Sequence, residues 1–90
     1  MQKRTRYLER IVKGFANHRR IQFIELLAAQ PEMSLDEICR RTSVGSKTGC
    51  EHMRRLVIAG LVAKRSDGHF VRHKLTPRGV GVLRYLKSLD

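Results

Sequence analysis

The sequence predicts a mainly α-helical fold of the α+β class, with one small β-hairpin near its C-terminal end. Three observations predict it. Apolar residues recur at helical spacing through most of the chain, capping signals separate the helical segments, and an Asp-Gly pair stands between two short apolar runs. The expected order is helix, helix, short helix, turn, helix, hairpin, helix. At this length we expect residues 1–90 to form a single domain.

Two helices are predicted at the N-terminal end. Apolar residues from Tyr7 to Phe15 recur at helical spacing and predict a first, amphipathic helix over about residues 3–15. Asn17 is a residue type that caps helices, and the second helix that it begins should end before Pro31. Because this second helix is apolar around much of its circumference, we expect it to lie in the core.

A pair of helices joined by a tight turn is predicted next. Ser34 and Glu37 have the spacing of a capping box, and the helix that they begin should end near Thr42. After a short glycine-containing segment, Ser46 is expected to cap a longer helix, which Gly60 would end in the left-handed conformation. Two helices connected in this way form a helix-turn-helix unit.

The period of the apolar pattern then changes from helical to extended. Apolar residues on both sides of Asp67-Gly68, a two-residue turn signal, predict a hairpin over about residues 61–75. Thr76 followed by Pro77 has the order of a helix N-cap and first helical position, so a last helix should follow over residues 77–90. A helix-turn-helix followed by such a hairpin is a winged helix-turn-helix, here with extra N- and C-terminal helices.

The charge of the chain indicates a polyanionic partner. The sequence holds 19 Lys and Arg against 8 Asp and Glu, a net charge of +11. Residues 21–36 contain no Lys or Arg, so the cations form a basic surface with an acidic back. Nucleic acid is the partner to expect first, and simple solubility is the alternative. The apolar stretches are far shorter than the roughly 20 residues that span a bilayer, so we expect no membrane contact.

The second helix of the helix-turn-helix, over about residues 46–59, has a polar and mainly cationic face. Gly49, Met53 and Leu56 cluster on the opposite side and should point inward. Arg can bond guanine with both nitrogens, Thr can contact a base edge, and Glu can accept from cytosine. An ordinary solvated helix face is the alternative. The helix residues that we predict to bind DNA are Ser46, Lys47, Thr48, Glu51, Arg54 and Arg55.

The predicted hairpin is densely cationic as well, and we count His73 among its cations. A β-ribbon edged with Lys and Arg can follow the phosphate backbone or enter the minor groove. Protection of exposed strand edges is the alternative role for these charges. The hairpin residues that we predict to bind DNA are Lys64, Arg65, His69, Arg72 and Lys74.

The run from Ser46 to Val62 resembles the recognition helix and first wing strand of ArsR-like transcriptional regulators. In that family a small residue, then x-His-Leu, leads to Leu-x-x-Ala-Gly-Leu-Val. The run from Leu75 to Gly79 is similar to the Leu-Thr-x-x-Gly that begins the helix after the wing in MarR-like families. The resemblance covers about residues 17–80 and implies a winged helix that binds DNA.

The resemblance does not extend to metal sensing. The Cys-Val-Cys motif of metal-sensing members is absent, and Ser34–Asp36 stand at the matching positions. We expect His52 to pack between helices or contact a phosphate, and we expect no metal and no cofactor. Cys39 should be a small core residue and Cys50 should flank the recognition helix, both as reduced thiols.

Apolar stripes in the helices over residues 1–15 and 77–90 predict a twofold homodimer, since a three-helix core with a wing does not need both. A helical cover over the core of a monomer is the alternative.

Three functions remain open at this point. The first is a sequence-specific transcriptional regulator of double-stranded DNA, with helix 46–59 in the major groove and wing 61–75 on the backbone or minor groove. The second is a nonspecific architectural or RNA-binding winged helix, and the third is a basic protein-interaction module. The sequence contains no catalytic constellation, so we expect no enzyme. A regulator of this kind would be cytoplasmic and associated with the nucleoid.

Overall fold

A computed structural model describes residues 2–90 of the chain. Within this range the mainly helical fold with one antiparallel hairpin is confirmed, including the extra helix at each end. The elements are α1 (Gln2–Phe15), α2 (His18–Ala29), α3 (Leu35–Thr42), α4 (Ser46–Ile58), β1 (Val62–Ser66), β2 (Val71–Leu75) and α5 (Pro77–Lys87).

Helix α2 lies at the centre of the core, as predicted. Its Phe23, Ile24 and Leu27 side chains are fully buried, and it contacts α3, α4, α5 and β2. Asn17 caps it, because the side-chain oxygen accepts hydrogen bonds from the Arg19 and Arg20 amides at 2.9 and 3.2 Å. The other elements are therefore arranged around one apolar helix.

The helix-turn-helix is confirmed, with one correction at its turn. The Ser34–Glu37 capping box begins α3, and Ser43 ends that helix in the left-handed conformation at φ 56°. The prediction that Ser46 caps α4 is wrong. Gly45 is the extended N-cap residue, and Ser46 is already the first helical residue. The N-terminus of α4 consequently has no side-chain cap. Gly60 ends the helix at φ 78°, as predicted.

Helices α3 and α4 approach each other closely at Gly49. A Cβ atom at this position would lie 2.2 Å from the Cys39 Sγ atom, so any other residue would have to displace this buried thiol. Cys39 is buried, which confirms its predicted place in the core. This close contact between α3 and α4 fixes the position of α4 relative to the rest of the helix-turn-helix.

The hairpin turn lies one residue later than predicted. Gly68 and His69 form its tip, with Gly68 at φ 97°, and the Asp67 amide still donates to the Phe70 carbonyl at 3.1 Å. The Asp67 carboxylate accepts hydrogen bonds from the His69 and Phe70 amides at 3.1 and 2.8 Å. Because the aspartate side chain accepts from these two amides, Asp67 is the first residue of the four-residue turn that Phe70 closes, and Gly68 is its first central residue.

The hairpin is attached to the body of the domain through His73. Its amide donates to the Met33 carbonyl at 2.9 Å, and its carbonyl accepts from the Glu32 amide at 2.9 Å. The His73 ring Nδ1 lies 3.0 Å from the same Met33 carbonyl, and the residue is only 3% exposed. Counting His73 among the surface cations was therefore wrong, since this residue points into the core.

Burial of His73 predicts a stability that falls in acid. Loss of solvent lowers the pKa of the ring from its ordinary 6.5, and the nearby Lys64 lowers the pKa further, against the Met33 hydrogen bond that raises it. The unfolded chain therefore binds a proton at a pH where the folded chain does not, so the free energy of unfolding should decrease as the pH drops below about 6.5. Urea unfolding between pH 7.5 and 5 measures this dependence.

The matched variants for this experiment are His73→Gln and His69→Gln. His73→Gln should flatten the pH dependence whatever its effect on absolute stability, whereas His69 is exposed at the turn and its substitution should leave the dependence in place. An equally steep dependence in His73→Gln and the parent chain would contradict the prediction. Burial also lowers the pKa of His52, so His52 contributes to the pH dependence with the same sign. The free energy of unfolding of His73→Gln should therefore still decrease slightly as the pH drops.

The terminal helices each cover part of the core, and they meet where the Arg78 guanidinium contacts Tyr7. In α1, Ile11 and Phe15 pack against the core while Tyr7, Leu8 and Val12 are exposed. In α5, Leu83 is buried, and the helix ends at Lys87, before the predicted Leu89.

Thr76 caps helix α5, as predicted, because its hydroxyl accepts a hydrogen bond from the Gly79 amide at 3.1 Å. The helix meets the start of the hairpin at Gly79, where a Cβ atom would lie 2.2 Å from the Leu61 carbonyl oxygen. Among the described residues, no helix has the length and apolar character required to cross a membrane.

Candidate nucleic-acid interface

The N-terminal half of α4 presents an exposed polar surface. Lys47 and Thr48 are exposed in its first turn, while Gly49 and Met53 are buried on the opposite side, as predicted. Because no side chain caps this end of the helix, its first-turn amides and the positive end of the helix dipole are open to an anion. No acidic residue lies in this first turn.

One turn further along α4, Glu51 binds two arginines. Arg54 donates from Nε and Nη2 to the two Glu51 carboxylate oxygens, both at 2.9 Å, and Arg55 donates from Nε at 2.9 Å. The hydrogen bonds from Arg54 lower the pKa of Glu51 to about 2, and Glu51 in turn raises the pKa of Arg54. Three predicted base-reading side chains thus form one ionised cluster, which we call the Glu51 cluster.

Arg20, near the start of α2, lies close enough to the Glu51 cluster to interact with its charges, and the predicted site did not include it. Burial and the positive charge of Arg55 lower the pKa of Arg20. The only local signal for this placement is the high density of Lys and Arg in residues 1–20.

His52 packs between helices. Its ring meets the Phe23 ring edge-on at 5.9 Å between centroids, and burial together with Arg20 lowers its pKa. Arg20 Nε and His52 Nδ1 are both buried without a hydrogen-bond partner. In the described part of the chain, no three His, Cys, Asp or Glu side chains are grouped as a metal site would need.

On the hairpin, Arg72 is held by the protein itself. Its Nε donates to the Asp67 carboxylate at 2.9 Å, and its guanidinium lies 5.1 Å from the Phe70 ring centroid. Hydrogen bonds from the Phe70 amide, Arg72 and the His69 amide keep the pKa of Asp67 well below its usual range. Arg72 therefore stabilises the turn of the wing, and less of its charge is free for a partner than we predicted.

The remaining predicted hairpin residues lie on both faces of the ribbon. Arg65 pairs across the strands with Arg72, and Lys64 pairs with the buried His73, so these two cations lie on opposite faces. Arg65 also forms an ion pair with Glu32 at 3.2 Å. Lys64, His69 and Lys74 are exposed, and within residues 2–90 none of the three takes part in an ion pair.

Lys64 and Arg54 line the same groove between α4 and the hairpin, which has a volume of about 420 Å³. The structure therefore brings the two predicted halves of the site, the helix and the wing, to one side of the molecule. That these side chains contact DNA remains a prediction.

Several solved structures are similar to this chain. Residues 1–100 of Mb0332 from Mycobacterium bovis form a homodimeric winged helix-turn-helix DNA-binding domain, described as a possible ArsR-family regulator. They match with a TM-score of 0.83 and 27% identity, over 98% of this chain and 81% of that chain. Reduced HlyU from Vibrio cholerae matches with a TM-score of 0.83 and 26% identity, over 99% and 94% of the two chains. NolR from Sinorhizobium fredii has the same fold, with a TM-score of 0.88 and 16% identity over 98% and 88%. No curated protein sequence matches this chain significantly.

A model of the winged helix DNA-binding domain family matches residues 17–79. This range agrees with the stretch over which the sequence resembles ArsR-like regulators, and the structural neighbours confirm that resemblance. The match includes the helix-turn-helix and the whole hairpin, which are the elements that hold the candidate interface. The chain therefore belongs to the winged helix DNA-binding domain family.

Proposed function

We propose that this protein is a sequence-specific transcriptional regulator that binds double-stranded DNA, with α4 in the major groove and the hairpin against the backbone or in the minor groove. The observation that carries the proposal is the uncapped N-terminus of α4, with Lys47 and Thr48 exposed beside its free amides. A helix end of this kind binds phosphate through its amides while the adjacent side chains reach base edges.

The Glu51 cluster supports base reading over general phosphate binding. In the free protein, both hydrogen-bonding edges of the Glu51 carboxylate are used by Arg54 and Arg55. A phosphate has to compete with this carboxylate for the arginines, which lowers affinity for arbitrary sequences. A guanine offers Arg54 two acceptors at once, and a neighbouring cytosine amino group can replace the arginine at Glu51. The correct base sequence therefore replaces the hydrogen bonds that Glu51 and Arg54 lose on binding, whereas an incorrect sequence leaves them unreplaced.

We further propose that residues 1–90 act as one domain and that residues 1–15 and 77–90 form a twofold dimer interface. The support is the exposure of large apolar side chains on both terminal segments, together with the homodimeric state of the Mb0332 fragment. The exposed apolar residues are Tyr7, Leu8, Val12, Val80, Tyr85 and Leu89. Two recognition helices in such a dimer would contact half-sites roughly 34 Å apart, which is one turn of DNA.

Selection of bound duplexes from a random pool tests specificity, palindromy and half-site spacing together. We expect an enriched inverted repeat that binds at least about a thousandfold more tightly than random duplex at physiological salt. Enrichment without any preferred sequence, with affinity set by salt alone, would show a nonspecific binder instead. Absence of duplex binding at low salt would favour a protein-interaction module.

A further inference from the structure

Helix α4 has a neighbour along each side of its exposed face. On one side, Cys50 lines the groove that α4 forms with Lys64 of the hairpin. On the other side, the His52 ring meets the Phe23 ring of α2 edge-on. Because an α-helix turns by about 100° per residue, side chains two positions apart point in nearly opposite directions. The hairpin and α2 therefore flank the exposed face of α4 on opposite sides.

Arg20 is a cation on the α2 flank of α4. Its side chain is partly buried, and among residues 2–90 it takes part in no ion pair. Its Nε is buried without a hydrogen-bond partner. Burial and the positive charge of Arg55 lower the pKa of Arg20, against the charge of Glu51, which raises it. Glu51 is already bound to Arg54 and Arg55, so Arg20 is left without an ion-pair partner of its own.

Other groups at the start of α2 are engaged within the fold. The Asn17 side chain accepts hydrogen bonds from the amides of Arg19 and Arg20, so this helix end is capped. The Arg19 guanidinium donates to the Thr42 carbonyl at 2.9 Å and to the Gln22 side chain at 3.1 Å. These contacts hold Arg19 against the C-terminal end of α3. Of the two adjacent arginines, Arg20 is therefore the one whose side chain is available to a partner.

We propose that Arg20 binds a DNA phosphate, on the strand opposite the one that lies beside the hairpin. This inference rests on the proposed function, because it takes α4 to lie in the major groove. That groove is about 12 Å wide and has one phosphate chain along each border, so a helix within it has one strand on each side. Lys64 faces one of these strands from the hairpin, and Arg20 faces the other from α2.

Contacts on both strands determine how α4 lies in the groove. Phosphate contacts fix the register and orientation of a protein on the duplex without reading bases. With one cation on each flank, a rotation of α4 about its own axis lengthens one of the two contacts. The side chains of α4 are thereby kept opposite the base edges, and Arg20 acts as a positioning residue. A phosphate beside Arg20 and Arg55 also reduces the repulsion between these two arginines.

The first experiment measures binding of the intact protein to the selected duplex and to an unrelated duplex at several salt concentrations, by fluorescence anisotropy. Arg20→Gln should weaken binding to both about tenfold, as expected for one charge-assisted hydrogen bond, and should reduce the slope of log K against log salt by about 0.9. Arg20→Lys keeps the charge and should retain the slope. The matched control is Arg41→Gln, since Arg41 is exposed and bonded to Gln30 at the other end of α2. It should change both quantities only slightly.

The second experiment locates the contact on the DNA. Each phosphate of the selected duplex is replaced in turn by a neutral methylphosphonate. At one phosphate the replacement should weaken binding of the parent chain about tenfold and that of Arg20→Gln hardly at all, because the variant has already lost this contact. Lys64→Gln should show the same insensitivity at a phosphate on the opposite strand. Thermal unfolding of each variant checks that it is folded at the temperature of the titrations.

Three results would overturn this inference while the parent chain still binds duplex. The first is equal weakening by Arg20→Gln and Arg41→Gln, and the second is a methylphosphonate pattern that is identical in Arg20→Gln and the parent chain. The third is insensitivity of Arg20→Gln and Lys64→Gln on the same strand. A lost preference for the selected duplex at an unchanged salt slope would likewise contradict it, since Arg20 would then act through the Glu51 cluster.

Absence of duplex binding by the parent chain would overturn the proposed function and, with it, this inference. The failure of the Arg20 contact alone and the failure of the proposed function are therefore distinguishable.

Discussion

Replacing Lys47, Arg54 and Arg55 together by alanine is expected to weaken binding to the selected duplex by at least about a hundredfold, at roughly 1–3 kcal/mol for each good contact. The loss has two causes. The variant lacks three cations on the exposed side of α4, and it leaves the Glu51 carboxylate without its two arginine partners, facing the DNA as an uncompensated negative charge. Fluorescence anisotropy of a labelled duplex at several salt concentrations measures the loss and its salt dependence.

The control removes the same number of charges from the ends of the chain, by replacing Lys3, Arg84 and Lys87. These residues lie on α1 and α5, within the proposed dimer interface, so sedimentation first checks that the control variant keeps the dimer. Its affinity for the duplex should then change only slightly. Glu51→Gln is the informative companion, since it frees both arginines. We expect it to bind every duplex more tightly and to discriminate less between them. If the triple alanine variant binds as tightly as the parent chain, α4 does not carry the interface.

Gly79→Ala is expected to destabilise the fold by about 1–3 kcal/mol or more, whereas Gly81→Ala, two residues later in the same helix, should stabilise it by up to about 1 kcal/mol. A Cβ atom at Gly79 would lie 2.2 Å from the Leu61 carbonyl oxygen, and that backbone cannot move without displacing the start of β1. At Gly81 nothing lies within 4 Å of an added Cβ atom, so the change only removes freedom from the unfolded chain.

Thermal and urea unfolding of the two variants measure this difference directly. If Gly79→Ala destabilises the fold and Gly81→Ala stabilises it, the contact of Gly79 with the Leu61 backbone, and not helix propensity, sets the difference. Tolerance of alanine at Gly79 would mean that α5 does not pack against Leu61 as the structure shows. A loss of stability in Gly81→Ala would instead place Gly81 inside the proposed dimer interface, where the partner chain would meet the added Cβ atom.

Local signals predicted most of the secondary structure. The Asn17 cap, the Ser34–Glu37 capping box and the Thr76-Pro77 start each depend on contacts between residues at most three positions apart. Contacts between residues this close in the sequence can be predicted from the local sequence alone. The prediction that Ser46 caps α4 was wrong because Gly45 occupies the N-cap position without any side-chain hydrogen bond. The sequence alone does not show that the serine at the next position is already inside the helix.

Hydrogen bonds and ion pairs between residues far apart in the sequence could not be predicted in this way. The hydrogen bonds that join His73 to Met33 connect residues 40 positions apart, and a histidine between two basic residues resembles a surface cation until its strand is placed. The same holds for the ion pair between Arg65 and Glu32. For the candidate site, sequence spacing was enough to place Glu51 and Arg54 on the outward face of a helix and Arg55 on the flank of that face. Their mutual hydrogen bonds became apparent only when the side chains were positioned.

The two thiols of this chain differ sharply in accessibility. Cys39 is 6% exposed beneath Gly49, and burial raises the pKa of its thiol, whereas Cys50 is exposed on α4. Because thiolates that solvent can reach are the ones that react with maleimides, the folded chain should accept a dye at Cys50 alone. The parent sequence thus contains a single attachment point for a fluorophore on the helix proposed to enter the major groove, one residue from Glu51. Binding of an operator could be followed in real time with no engineered cysteine and none removed.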